Sequence, residues 1–143
     1  MKPCLVDTNV WLALLVPKHE HHRLAHQWFE RLAANEAGLC RIVQVGVIRL
    51  MGNRAVMREE AISAIDAWGV IELLLQDERV TFLNELPGLD SVFPTLLKYQ
   101  TPTRKLVADA YLAAFAINES RRLVSLDRGF RQFRGLDLEL LTT

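Results

Sequence analysis

The 143-residue sequence is as informative in what it lacks as in what it holds. It has no net charge, with 17 Lys or Arg against 17 Asp or Glu, so nucleic-acid binding by overall charge is excluded and must come from a local patch. It has only two cysteines, Cys4 and Cys40, with no C-x-x-C spacing. That excludes a disulfide scaffold and a thiol-ligated metal, and it leaves two buried, reduced thiols of the kind a cytoplasmic protein carries. There is no long apolar run. Val10 to Val16 is far too short to span a membrane. Asp7 and Asn9 also interrupt the place where a secretory leader would be building its charged-then-apolar pattern. Repeats, low-complexity tracts and linkers are absent, so the expectation is one domain over residues 1–143, with a location in the cytoplasm.

What is present is a set of short apolar runs alternating with helical segments. Residues 3–6 (P-C-L-V), 39–43, 79–83, 122–126 and 136–141 read as strands. Helices are expected from Trp11 to a stop at Pro17, over His19–Ala34 and Val45–Met51, over Arg58–Gln76, and over Leu89–Tyr99 with Pro94 in or near its first turn. In the second of these, Leu24, Trp28, Phe29, Leu32 and Ala33 share a face; in the fourth, Ile62, Ile65 and Trp68 point inward. Gly69 is a possible irregularity there. Strands alternating with helices require crossover connections. The predicted architecture is therefore a three-layer α/β/α domain with a mostly parallel sheet of about five strands.

After Pro102 comes the stretch on which the chain turns, Leu106 to Asn118 (L-V-A-D-A-Y-L-A-A-F-A-I-N). It is a helix apolar nearly all round, hence buried between other elements, and Asp109 is its one charge. Burying a lone carboxylate costs several kcal/mol unless something pairs it. Two further carboxylates, Asp7 and Asp127, directly follow expected strands. Each has an ordinary explanation, Asp7 as a helix cap and Asp127 as the start of the turn D-R-G. In an open parallel sheet, however, functional groups collect at the carboxyl ends of the strands. If the three meet, they repel one another unless a cation sits among them. All-oxygen ligation favours Mg²⁺ or Mn²⁺, and such an ion supports hydrolysis of a phosphodiester.

Other signals weigh less. His19, His21, His22 and His26 lack the H-E-x-x-H frame of a zinc site and read as a solvated helix start. Trp11, Trp28 and Trp68 have core spacing in helices. From Lys98 to Arg134 there are eight Lys or Arg against three acids, a local excess of positive charge where a phosphate would be met. Arg128 and Arg131, directly after Asp127, are the expected RNA contacts.

These motifs together resemble those of the PIN-domain ribonucleases. L-V-D-T-N-V, L-V-A-D-A-Y-L-A-A-F-A and S-L-D-R-G-F are the three segments, and the likeness is greatest to the VapC toxins of toxin–antitoxin pairs. H-E-H-H-R-L-A-H-Q-W-F-E and Q-V-G-V-I-R-L-M-G-N also resemble one branch of those toxins, extending the likeness over nearly the whole chain. The resemblance implies a Mg²⁺- or Mn²⁺-dependent endoribonuclease, a homodimer, silenced by a cognate antitoxin. It matches Asp7, Asp109 and Asp127 to the catalytic, metal-binding acids. Asn9 and Ser125 match supporting positions, the latter often Thr in relatives. One departure stands out. Where many relatives carry a helical Glu shortly before an Arg like Arg49, this sequence has Gln44, an amide and no acid. Three acids instead of four favour one firmly held ion over two. Two other readings stay open. One is a phosphohydrolase with Asp7 as nucleophile, weakened by Asn9 where a second acid belongs. The other is a decayed PIN-like module that binds RNA or protein without cutting.

Overall fold

The computed structural model describes residues 2–98 and 103–142. Tyr99 and Pro102, which figured in the expected boundaries of two helices, lie outside them. Five strands form one sheet: β1 (Cys4–Val6), β2 (Ala37–Cys40), β3 (Val80–Leu83), β4 (Arg122–Ser125) and β5 (Leu138–Leu140). Their order is β3-β2-β1-β4-β5 and every pairing is parallel. The chain thus steps outward from β1 to β3, then returns to the other side of β1 to lay down β4. The reversal places a topological switch point between β1 and β4, where crevices open at the strands' carboxyl ends.

Helices cover the sheet in two groups. The first comprises α1 (Thr8–Leu15), α2 (His22–Glu30), α3 (Arg41–Met51), α4 (Arg54–Met57) and α5 (Ala64–Leu74); within it α1 packs on α2 and α3, and α3 on α5. The second comprises α6 (Leu89–Leu97) and α7 (Leu106–Asn118), packed on each other. Right-handed crossovers running in opposite directions put these groups on opposite faces, which gives the three-layer α/β/α architecture. The core between the layers holds Leu5, Val6, Leu39, Leu123 and Val124 from the strands, with Trp11, Val47, Ile71 and Phe115 from the helices, all within 2% of full burial.

Several boundaries differ from the sequence reading. β2 begins at Ala37 instead of Leu39, and α3 begins at Arg41 instead of Val45. The β-branched pair Ile42-Val43 favours a strand locally, but as a helix this stretch buries Val43 and Val47 one turn apart. α2 starts at His22, because His19 Nδ1 accepts the His21 N–H at 3.0 Å and holds a turn there. It ends at Glu30, leaving Leu24 and Leu32 half-buried and Ala33 exposed. The expected long helix over Arg58–Gln76 is broken into a 3₁₀ turn at Arg58–Glu60 and α5, the latter capped by Ser63 Oγ, which accepts the Asp66 N–H; the short α4 before them was not expected. α5 turns Ala67 and Ile71 inward, while Ile65 and Trp68 are 73% and 40% exposed. This helix is apolar on nearly every side, so periodicity could not choose its face. Gly69 causes no break in it. Pro94 sits inside α6 rather than at its first turn.

Two close approaches depend on glycine. Gly38 in β2 leaves no room for a side chain, since a Cβ there would lie 2.7 Å from the Cys4 carbonyl oxygen and 2.4 Å from Leu83 Cδ1. On α3, Gly46 lets that helix close on Thr8 of α1, with 3.0 Å between its would-be Cβ and Thr8 Oγ1. Both cysteines are buried and free, and burial pushes the Cys4 thiol up to about 12 and the Cys40 thiol up to about 11. They are inert packing residues, as expected. Among the described residues no helix is long and apolar enough to cross a membrane.

Candidate active site

The cap role and the site role of Asp7 turn out to be compatible, because the carboxylate has two oxygens. Oδ1 accepts the Thr8 N–H at 2.8 Å and starts α1. Oδ2 accepts the Ser125 hydroxyl at 2.6 Å, from the end of β4. Ser125 is fully buried and in turn accepts the Asp127 N–H at 2.9 Å. Nearby, Asn9 Oδ1 accepts the Leu126 N–H at 3.3 Å. The loops leaving β1 and β4 are thus tied together by the side chains of Asp7, Asn9 and Ser125. Burial pushes the Asp7 carboxyl up, more than its hydrogen bonds from Ser125 and Thr8 pull it down.

Asp127 caps the 3₁₀ turn Arg128–Gln132 through Oδ1, which accepts the Gly129 N–H at 2.8 Å. Its Oδ2 accepts from the Lys105 ammonium. That ammonium holds Asp127 below the usual carboxylate range. Asp109 lies one turn into α7, where the helix is still opening at the sheet edge; burial is continuous only from Leu112 to Ala116, and Val107 is exposed. The lone charge therefore sits at the margin of the core and not inside it. Burial pushes the Asp109 carboxyl up to about 6; Lys105 opposes the rise, and repulsion from Asp7 and Asp127 adds to it. The three carboxylates named from sequence are brought to one edge.

Two of them, Asp7 and Asp109, border a cleft of about 390 Å³, and Asp127 reaches it through its bond to Lys105. Asp7 and Asp109 contribute its acidic side, with the neutral amide of Asn9 beside them, Arg49, Arg104 and Lys105 its basic side, and Ile42, Val43, Leu50 and Leu112 its apolar wall. The donor set suits a hard cation: carboxylate oxygens at strand ends, with Lys105 the one cation bonded to any of the three acids among the described residues. As the side chains stand, no group of three His, Cys, Asp or Glu among the described residues forms a ready ligand shell.

The remaining sequence-derived residues divide. Gln44 is buried, and its Oε1 accepts from Arg41 Nη1, so it faces away from the acids and does not line the cleft. The basic excess separates into two ends. Arg104 and Lys105 reach the cleft, whereas Arg121 and Arg122 stand at the amino end of β4, paired with Glu119 and with Asp137 and Glu139. Arg128 and Arg131 are exposed on the turn after Asp127, outside the cleft lining. Sequence reasoning did not single out Thr8, Arg104 or Lys105 as site residues. Lys105 had a readable signal, a cation four residues before the helical Asp109. The four histidines take no part; His22 Nδ1 lies 2.8 Å from the Ala13 carbonyl oxygen and His26 pairs with Glu30 at 3.5 Å.

A parallel sheet with this strand order and acids gathered at its switch point is the arrangement of a PIN domain, and the chain belongs to that family: the PIN-domain profile matches residues 4–136. Its relatives are VapC proteins. Ribonuclease VapC41 of Mycobacterium tuberculosis is 35% identical over 142 residues, spanning 96% of this chain and 97% of that one. VapBC-1 from nontypeable Haemophilus influenzae superposes with a TM-score of 0.67 at 19% identity, over 97% of this chain and 98% of that one. VapC20 of M. tuberculosis, a Sarcin-Ricin loop cleaving toxin, gives 0.64 at 19% identity, over 90% and 92%. At that identity the structural likeness speaks for the fold.

Proposed function

We propose that this protein is a VapC-type endoribonuclease, the toxin of a toxin–antitoxin pair, and that Asp7, Asp109 and Asp127 hold the divalent ion its chemistry requires. What supports the reading is that Asp7 and Asp109 line one cleft with a basic wall at the carboxyl ends of β1 and β4, close enough to Asp127 for the three charges to repel one another. The full-length likeness to a ribonuclease supports it. Mg²⁺ or Mn²⁺ fits the oxygen donors, and when bound it activates water and offsets charge developing on a phosphate oxygen. The chain's own groups do the rest. Ser125 and Thr8 fix the direction of Asp7, Asn9 fixes the β4 loop, and Arg49, Arg104 and Lys105 present positive charge to the RNA backbone. Arg128 and Arg131 extend that surface beyond the cleft.

Because Gln44 is turned to Arg41, the acids number three, and one ion is the expected stoichiometry. The phosphohydrolase reading loses ground here, since Asn9 supplies no acid where that chemistry needs one. Solved neighbours that are toxin–antitoxin complexes support an antitoxin as one partner, and we take a second copy of the chain as the other. The exposed Ile65, Trp68 and Leu73 on α5 give the homodimer an apolar face. A cytoplasmic location is in keeping with an RNA substrate and two buried cysteines that form no disulfide. The test is titration of the purified protein with Mg²⁺ or Mn²⁺ beside Asp109→Asn, with RNA cleavage as readout. Metal-dependent cleavage abolished in the variant is the expected result, and cleavage surviving in Asp109→Asn overturns the assignment. Asp109-dependent metal binding without cleavage would support the binding-module reading instead.

A further inference from the structure

Lys105 holds a position in the cleft that RNA binding alone does not account for. It directly precedes α7, and the Asp109 N–H donates to its carbonyl at 2.9 Å, so one turn of helix fixes its place relative to Asp109. Its ammonium donates to Oδ2 of Asp127 and lies in the field of Asp109 and Asp7. Among the described residues it is the one cationic side chain bonded to any of the three acids. The Lys105 side chain is 67% exposed, whereas that of Asp127 is 24% exposed. A flexible, mostly solvated cation is therefore seated on a fixed, mostly covered anion.

We propose that Lys105 is a resident counter-ion that exchanges with the divalent ion: it holds Asp127 in the metal-free protein, leaves when the ion binds, and then presents its charge to an RNA phosphate in the cleft. This rests on the metal-site reading above. Three like charges at one sheet edge repel, and the ammonium relieves part of that repulsion. It does so by occupying Oδ2 of Asp127, a lone pair that an ion bound among the carboxylates also needs. A divalent charge arriving there makes the adjacent ammonium repulsive. The Lys105 side chain can swing, since it is mostly exposed and, among the described residues, held only by its bond to Asp127. Arg49 and Arg104 line the same cleft, so the released ammonium joins an existing basic wall.

Linkage then fixes the sign of a coupling. If metal binding frees Lys105 for RNA, RNA that draws Lys105 away must tighten metal binding by the same factor. The protein would take metal and RNA cooperatively, with Lys105 as one carrier of the cooperativity.

The experiment compares wild type, Lys105→Met, Lys105→Arg and Asp109→Asn. Free Mn²⁺ is followed by its paramagnetic resonance at pH 7.5, with and without a 2′-O-methyl RNA oligonucleotide that cannot be cut. Lys105→Met is expected to bind Mn²⁺ about three- to fivefold more tightly than wild type without RNA, the scale of one exposed ion pair. With Mn²⁺ present it should bind the oligonucleotide more weakly, with a salt dependence reduced by about one charge. The enhancement of Mn²⁺ affinity by RNA should shrink, and Lys105→Arg should stay near wild type in all three. Mn²⁺ affinity unchanged or weakened in Lys105→Met, with wild-type binding still dependent on Asp109, overturns the exchange and leaves the nuclease reading intact. An unchanged salt dependence overturns the hand-over to phosphate. Wild type showing no Asp109-dependent Mn²⁺ binding overturns both readings together.

Discussion

Replacing Ser125 by Ala should damage stability and metal binding together, through one hydroxyl. Ser125 Oγ donates to the buried Asp7 carboxylate at 2.6 Å and accepts the Asp127 N–H at 2.9 Å. A hydrogen bond to a charged group contributes about 1.5–3 kcal/mol, and the donor left behind on Asp127 adds to the loss. Water cannot readily substitute at a site whose residue is fully buried. The expected loss is about 2–3 kcal/mol at pH 7.5, which for a chain of 143 residues corresponds to a fall in Tm of roughly 6–12 °C.

The loss should also depend on pH. Burial already raises the Asp7 carboxyl above its unfolded value, so as the pH falls it is neutralised in the folded state before it is in the unfolded chain. The charged part of the Ser125 bond disappears with it, and the difference between variant and wild type should narrow to about 1 kcal/mol. On an Asp7→Asn background the hydroxyl meets only a neutral amide, so Ser125→Ala should again cost about 1 kcal/mol; the cycle isolates the charge-assisted part. Ser125→Thr keeps the hydroxyl and should stay within about 1 kcal/mol of wild type. Because Ser125 orients a metal-binding carboxylate, Mn²⁺ affinity should fall roughly 10- to 100-fold in the Ala variant. Urea denaturation at pH 7.5 and pH 4.5, with Mn²⁺ titration, measures all of this. A Ser125→Ala protein within about 0.5 kcal/mol of wild type at pH 7.5 would refute the reasoning, as would a loss that does not depend on pH.

Asp109→Asn should make the metal-free protein more stable at pH 7.5, by on the order of 2 kcal/mol, since ionising a carboxyl raised to about 6 opposes folding. The sign is that of a raised carboxyl: the cost is present above pH 6 and gone below about pH 4, where folded and unfolded forms are both protonated, so thermal melts of the two proteins should converge there. Mg²⁺ at 100 times its Kd should raise wild-type stability by about 2.7 kcal/mol and leave Asp109→Asn nearly unmoved, which calorimetry reads directly. Gly38→Ala should cost about 2–3 kcal/mol in urea denaturation, because the added Cβ would lie 2.7 Å from the Cys4 carbonyl oxygen; a neutral result would mean that β1 and β2 are less tightly apposed. Gln44→Glu should leave the Mn²⁺ stoichiometry at one, its carboxylate pairing with Arg41, and a second bound ion would contradict the orientation found for Gln44. If the exposed face of α5 forms the proposed dimer, Trp68→Glu should shift the protein to monomer in analytical ultracentrifugation without loss of fold, since Trp68 is 40% exposed there.

The legible parts of the site were those that covalent neighbours dictate. Asp7 and Asp127 directly follow apolar runs, so their place at strand ends could be read from local pattern, and α7 was bounded correctly at Leu106 and Asn118. Its composition, rich in Ala and Leu with neither Gly nor Pro, permits little else. Ser125 and Asn9 were named as supporting residues, and each bridges the β1 and β4 ends. Gln44 stood out as an amide where many relatives carry an acid, and the structure finds it buried and bonded to Arg41, outside the cleft lining. The inward face assigned to α5 was wrong at Ile65 and Trp68, because a helix apolar on nearly all sides has no period to read.

The sequence by itself determined the alternation of strands and helices, hence a parallel sheet covered on both faces, and it determined which carboxylates would stand at its edge. Both follow from short-range rules: strand length, helix composition and capping act within a few residues. Only the tertiary structure decided which cations share that edge. Arg121 and Arg122 are close to Asp127 in sequence yet sit at the far end of β4, while Arg49, on a helix from the other half of the chain, lines the cleft. Charge acts through space, so what neutralises a carboxylate is set by the crossover that returns the chain beside β1, and no local pattern contains that distance.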